Sequence, residues 1–180
     1  TPFNSPESEN LQALLFALNH RVDLGGGDFF EAGAYYRRNK DDYAFNRYAP
    51  LGSVHPFQHT TWVNGVAASG RQDVGDFILN YRGELLADEL RSTSLTFGNF
   101  HTRTQTKFSV LPEKTWALDD GARLTVKAGA SLDSTNQDGS AVSPVVEISR
   151  EKAADALSRI YLSYASSSQV PSYTALNSTP

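Results

Sequence analysis

The 180-residue sequence predicts an antiparallel all-β fold, a transmembrane β-barrel or an open segment of one, with about eight to nine strands. Three observations carry this. Apolar and polar residues alternate with a period of two through most of the chain, as in strands with one apolar face. Several alternating runs reach ten residues or more, where soluble strands average about 5–6 and a tilted bilayer-crossing strand needs about 9–11. Short turn signals separate the runs, and hairpins that short make neighbours antiparallel.

The lead-in 1–10 holds two prolines, two serines and two glutamates and reads as irregular. Over 11–23, Leu14, Phe16, Leu18, His20 and Val22 alternate with Leu15, Ala17, Asn19 and Arg21, which favours strand over helix. Gly25–Gly27 then turns the chain into a second strand, with Phe30, Ala32, Ala34 and Tyr36 on one face. The polar stretch 37–43 and the Pro50–Pro56 region read as a long hydrophilic connection. A third strand is expected over 57–69, turned by Gly70–Asp73, and a fourth over 74–86 in which Ile78 breaks the alternation. A fifth covers 92–101.

The segment 102–118 reads as a strand interrupted at Pro112, which cannot donate to a ladder. Asp119-Asp120-Gly121 is a hairpin signal. The cleanest alternation follows: Ala122, Leu124, Val126, Ala128, Ala130 and Leu132 against Arg123, Thr125, Lys127, Gly129, Ser131 and Asp133. Beyond a polar loop at 134–140 come Pro144–Ser149, a loop at 151–155 and a last strand over 157–166. The 151–157 stretch has helical propensity but is too short to hold a helix unaided.

Composition narrows the function. With 16 Lys plus Arg against 20 Asp plus Glu, net −4, there is no basic stripe of the kind nucleic acid requires. Without cysteine there is neither a disulfide framework nor a thiolate metal site. No run of about 18 apolar residues exists, so a transmembrane helix is excluded, while membrane-spanning strands leave only a faint trace. The chain opens Thr1-Pro2-Phe3 without methionine, and is expected to be a processed product or a fragment, 1–180 forming a single barrel segment.

Alternation alone fits both a soluble β-sandwich, apolar face inward, and a membrane barrel, apolar face toward lipid. Strand length favours the barrel. So does the alanine-rich apolar face at 122–132, which fills a sandwich core poorly. The third argument is aromatic placement near strand ends, at Tyr35, Tyr36, Tyr43, Tyr161, Tyr164 and Tyr173, suggesting interfacial girdles. Trp62 and Trp116 read equally as interfacial anchors or as packing residues. In a barrel Arg123 and Lys127 must face the interior, since each would cost about 2–4 kcal/mol against lipid.

No catalytic constellation emerges. His20, His55, His59 and His101 include one i, i+4 pair, but around Pro56 that spacing does not make a metal site. Asp41-Asp42 and Asp119-Asp120 read as turn carboxylates. Gly25–Asp28 lacks the lysine of a phosphate loop, and no nucleophile elbow is present. No enzyme activity, metal or cofactor is expected. Arg123, Lys127, Glu147 and Arg159 on the polar faces are candidates to line a ligand path, with a salt-bridged interior wall as the plainer alternative.

The stretches 117–151 and 158–178, with 35–48 and 57–70, resemble the middle-to-late barrel strands of TonB-dependent receptors, most tellingly in Ser-Gln-Val-Pro-Ser-Tyr-Thr-Ala-Leu at 168–176. The resemblance covers roughly residues 28–178. It implies an outer-membrane location, a plugged barrel of about 22 strands, and uptake of a scarce ligand such as a siderophore or cobalamin. It also implies partners: outer-membrane lipid, the remaining strands and plug of a longer chain, and the TonB complex. No plug domain and no energy-coupling segment can be read in residues 1–180. A soluble β-sandwich or lipocalin-like binding module is the alternative from another class.

Overall fold

A computed structural model describes residues 6–48, 56–95, 101–137, 139–152, 159–166 and 172–173. These residues form one eight-stranded antiparallel sheet in strict meander order, β1 to β8. The strands are β1 Ser8–Gly25, β2 Asp28–Ala44, β3 Phe57–Asp73, β4 Ile78–Ser92, β5 Thr102–Ala117, β6 Arg123–Thr135, β7 Gly139–Glu151 and β8 Arg159–Ala165. The sheet is open. β1 pairs only with β2 and β8 only with β7, so each keeps one free edge among the described residues. No helix among them is long and apolar enough to cross a membrane.

The turns explain the registers. Gly25, Gly26 and Gly27 all take positive φ, a conformation that glycine alone adopts without a side-chain clash, and they reverse β1 into β2. Asp120 caps the β5–β6 turn by accepting from the Ala122 amide at 3.0 Å, and Leu118 donates to Ala122 across the same turn. Asp73 accepts from Gly75 at 2.8 Å in the β3–β4 turn.

Several expectations are corrected. The polar stretch 37–43 is not a connection but the second half of β2, paired throughout with β1 and β3. Asp41 and Asp42 are consequently ladder residues on opposite faces, not turn carboxylates. Gly70–Asp73 belongs to β3, paired with β4 up to Asp73, and the reversal falls at 74–77, where the Val74 amide donates to Phe77. Residues 74–77 therefore do not open a strand. A separate strand over 92–101 is not found: Ser92 ends β4, bends follow, and 96–100 lie outside the described residues. Most of 134–140 is strand, divided between β6 and β7. The expected connection at 49–55, the loop at 153–155 and most of the 168–176 run lie outside the described residues.

Pro112 sits inside β5 and does interrupt pairing. The β5–β6 ladder lapses between Val110↔Ala130 and Glu113↔Lys127, then resumes in the same register. Opposite the gap, Gly129 lies so close to the Val110 carbonyl that a Cβ there would overlap it.

Candidate functional site

Paired residues of a sheet share a face, so the registers sort every side chain to one side or the other. One face carries Leu18 of β1, Ala34 of β2, Val66 of β3, Leu85 of β4, Val126 of β6 and Leu162 of β8, with apolar neighbours two residues either side on most strands. It is open to the surroundings: Leu18 is 75 % exposed, Val142 71 % and Leu162 68 %. No second layer covers it among the described residues. The opposite face holds most of the charges, yet over the central strands most of its residues are better shielded, with Val63 at 6 % and Ser143 at 4 %. A sheet curved with its polar side inward has this profile.

The polar face is an ion-pair wall. Lys127 stands between Glu113 at 3.4 Å and Glu147 at 3.8 Å. Arg123 reaches Glu151 at 4.0 Å, and Arg103 holds Asp88 at 2.6 Å. All four candidates from the sequence thus lie on this face. Lys127 and Glu147 meet; Arg123 pairs elsewhere, and the Arg159 guanidinium lies 5.8 Å from the Tyr161 ring. The reach of residue 173 is invisible in the sequence. Tyr173, eight residues beyond β8, donates to the Asp88 carboxylate at 2.8 Å and lies under the Arg103 guanidinium. Burial, and then the carboxylate it donates to, push its phenol well above the ordinary tyrosine range.

Aromatic placement is partly corrected. Tyr36 and Tyr164 are on the apolar face, but Tyr35, Tyr43 and Tyr161 point to the polar face and belong to no outer girdle. Trp62 and Trp116 lie on the apolar face near opposite strand ends, with Arg91 5.2 Å from the first ring and Lys114 6.0 Å from the second. The histidines are scattered: His20 is on the apolar face, while His59 stacks on Phe57 at the far end of the polar face. His55 lies outside the described residues. Among the described residues no three His, Asp or Glu side chains gather as metal ligands would.

The apolar face has one further property. On β1 its run Leu14–Val22 centres on Leu18, and on β6 the run Leu124–Leu132 centres on Ala128. Following the ladder straight across from Leu18 leads through Ala34, Val66, Leu85 and Thr106 to Ser134. Ser134 is six residues from Ala128, so the apolar run has slid six residues in five strand steps. With about 3.3 Å per residue and 4.8 Å between strands, a slide of about 1.2 residues per strand makes a level belt cross strands tilted by about 40°.

Comparison with protein-family models, with curated proteins and with solved structures finds no match to this chain.

Proposed function

We propose that the chain is part of the wall of an outer-membrane receptor or transporter, of the TonB-dependent kind that its sequence resembles, and that it is not an enzyme. The slanted belt carries this reading. Strands crossing a bilayer in a barrel tilt about 35–45°, and an apolar band that stays level with the membrane must then step along each successive strand. A soluble sandwich has no level to keep, and its apolar face would be covered by a second sheet. A lipocalin-like module would turn its apolar face inward, the reverse of the arrangement here.

In this role the bilayer covers the apolar face and the ion-pair wall faces a wet or plugged interior. The free edges of β1 and β8 call for further strands, because each unpaired N–H or C=O in hydrocarbon costs several kcal/mol. Such a wall takes part in importing a scarce ligand, with a plug and the TonB complex as its partners. Lys127 and Glu147 stiffen the wall, and Arg123 and Arg159 line its short-turn end.

The test is a nitroxide placed singly at each position from 123 to 128 in lipid-reconstituted protein. Labels at 124, 126 and 128 should be quenched by oxygen in the lipid, and those at 123, 125 and 127 by a water-soluble nickel chelate. A uniform profile, or apolar positions shielded from both quenchers, would overturn the membrane reading.

A further inference from the structure

We infer that the polar face carries an oxyanion subsite, built by Arg82 and Lys107 over a floor of serine hydroxyls, that holds a carboxylate or phosphate group of a passing solute. Its position in a barrel interior rests on the membrane reading above; its chemistry does not.

The ladder places Ser69, Arg82, Ser109 and Ser131 in one straight row across β3 to β6. Small side chains on either side leave the guanidinium standing above a depression. A cavity of about 210 Å³ opens there, lined by Arg82, Glu84, Lys107, Ser109, Ser131 and Asp133 together with Phe108 and Leu132.

The charges in this cavity are held more loosely than the Arg103–Asp88 pair of the same wall. Arg103 and Asp88 are locked at 2.6 Å with both side chains nearly buried. Arg82 touches Glu84 only at 3.4 Å, and Lys107 reaches Asp133 only at 3.9 Å. Exposure separates the signs: the Arg82 and Lys107 side chains are 66 % and 55 % exposed, against 22 % and 20 % for their carboxylate partners. The cations project and the anions sit back, holding them upright. None of the hydroxyls of Ser69, Ser109 and Ser131 bonds to another side chain or backbone group among the described residues. The cavity therefore offers an arginine fork, an ammonium and neighbouring hydroxyl donors to whatever enters. A guanidinium fork matches the paired oxygens of carboxylate or phosphate, and charge-assisted bonds to such groups are the strong ones.

The protein, together with the strands that complete its sheet, is folded in detergent micelles and titrated at low ionic strength with inorganic phosphate and, separately, with citrate, while amide chemical shifts of β4–β6 are followed. Saturable shifts centred on Arg82, Ser109 and Ser131 are expected. Arg82→Gln and Lys107→Gln should each weaken binding about tenfold, the loss of one charge-assisted bond. Glu84→Gln should strengthen it by removing a repelling charge, and Arg21→Gln, a cation on the same face outside the cavity, should leave it unchanged. A response to phosphate alone or citrate alone names the group accepted, and a response to both makes the site general for oxyanions. No saturable shift, or equal weakening by Arg21→Gln and Arg82→Gln, overturns the subsite. If the nitroxide profile fails while the anion titration succeeds, the membrane reading falls and the subsite stands on a water-facing sheet. The opposite pair of results removes the subsite alone.

Discussion

Strands β2 and β6 are built on the same alternation, yet they end differently. β6 is belt for nearly all of its 13 residues: its outer face runs Leu124, Val126, Ala128, Ala130, Leu132. β2 has 17 residues and is belt only from Phe30 to Tyr36; beyond that its outer face reads Arg38, Lys40, Asp42. Both halves of β2 are nonetheless paired without a break. The run of apolar residues on the outer face therefore sets where the belt lies, while backbone pairing sets where a strand ends, and the two limits need not coincide. In the membrane reading the polar half of β2 stands clear of the bilayer, held by its ladders and by bonds such as Lys40 to Asp42 at 2.5 Å.

A charge placed on the outer face of each region tells the two apart. Ala128→Arg at the belt centre of β6 should cost about 2–4 kcal/mol of stability in lipid vesicles. Ala44→Arg, on the outer face at the polar end of β2, should change it by no more than about 0.5 kcal/mol. Urea unfolding in vesicles reads both, and equal costs would mean that the belt does not meet lipid.

A second, smaller effect contrasts two belt-level glycines. Gly129→Ala drives a methyl group into the Val110 carbonyl at the Pro112 gap, where backbone must shift, and should cost about 1–3 kcal/mol. At Gly83 a Cβ meets only the Phe108 ring at 3.6 Å, an ordinary contact, so Gly83→Ala should be near neutral in the same assay.

The smallest effect lies at the short-turn ends. Asp120 is held below the usual carboxylate range first by the Ala122 amide and then by the Arg150 guanidinium, whereas the three-glycine turn of β1–β2 carries no titrating group. A depressed folded value means that the stabilisation is complete above the ordinary carboxyl pKa of about 3.9 and is lost as pH falls through the folded value. Asp120→Ala should thus remove a small part of the acid limb of the stability profile. The neutral-pH change should match the loss of the turn's capping bond.

Much of this fold is legible in the sequence because alternation is a local signal. The faces of 14–22, 30–36 and 122–132 follow from residue order alone, and so does the glycine turn at 25–27. What escapes is set by partners distant in sequence. Residues 37–43 are strand because β1 and β3 flank them, and their charges on both faces hide this. Turn chemistry misleads at Gly70–Asp73, where glycine serves the approach of a neighbour: the Tyr81 ring of β4 lies over Gly70, where a Cβ would collide with it. Tyr35 stands over Gly65 on the other face in the same manner. Among the site residues, the side of the sheet is legible for Arg123, Lys127, Glu147 and Arg159, while their pairing is not. Arg82 and Lys107 could have been placed on the polar face by alternation, but their convergence with Ser109 and Ser131 depends on registers that no single strand encodes.

The sliding of the belt along the ladder also bears on how such a wall can change in size over evolutionary time. Each hairpin carries its own share of the slide, about two residues for every pair of strands. Duplicating or deleting a hairpin therefore hands the next one a belt already at the correct height. A gene encoding this architecture can lengthen or shorten its circumference two strands at a time without re-tuning the strands that remain.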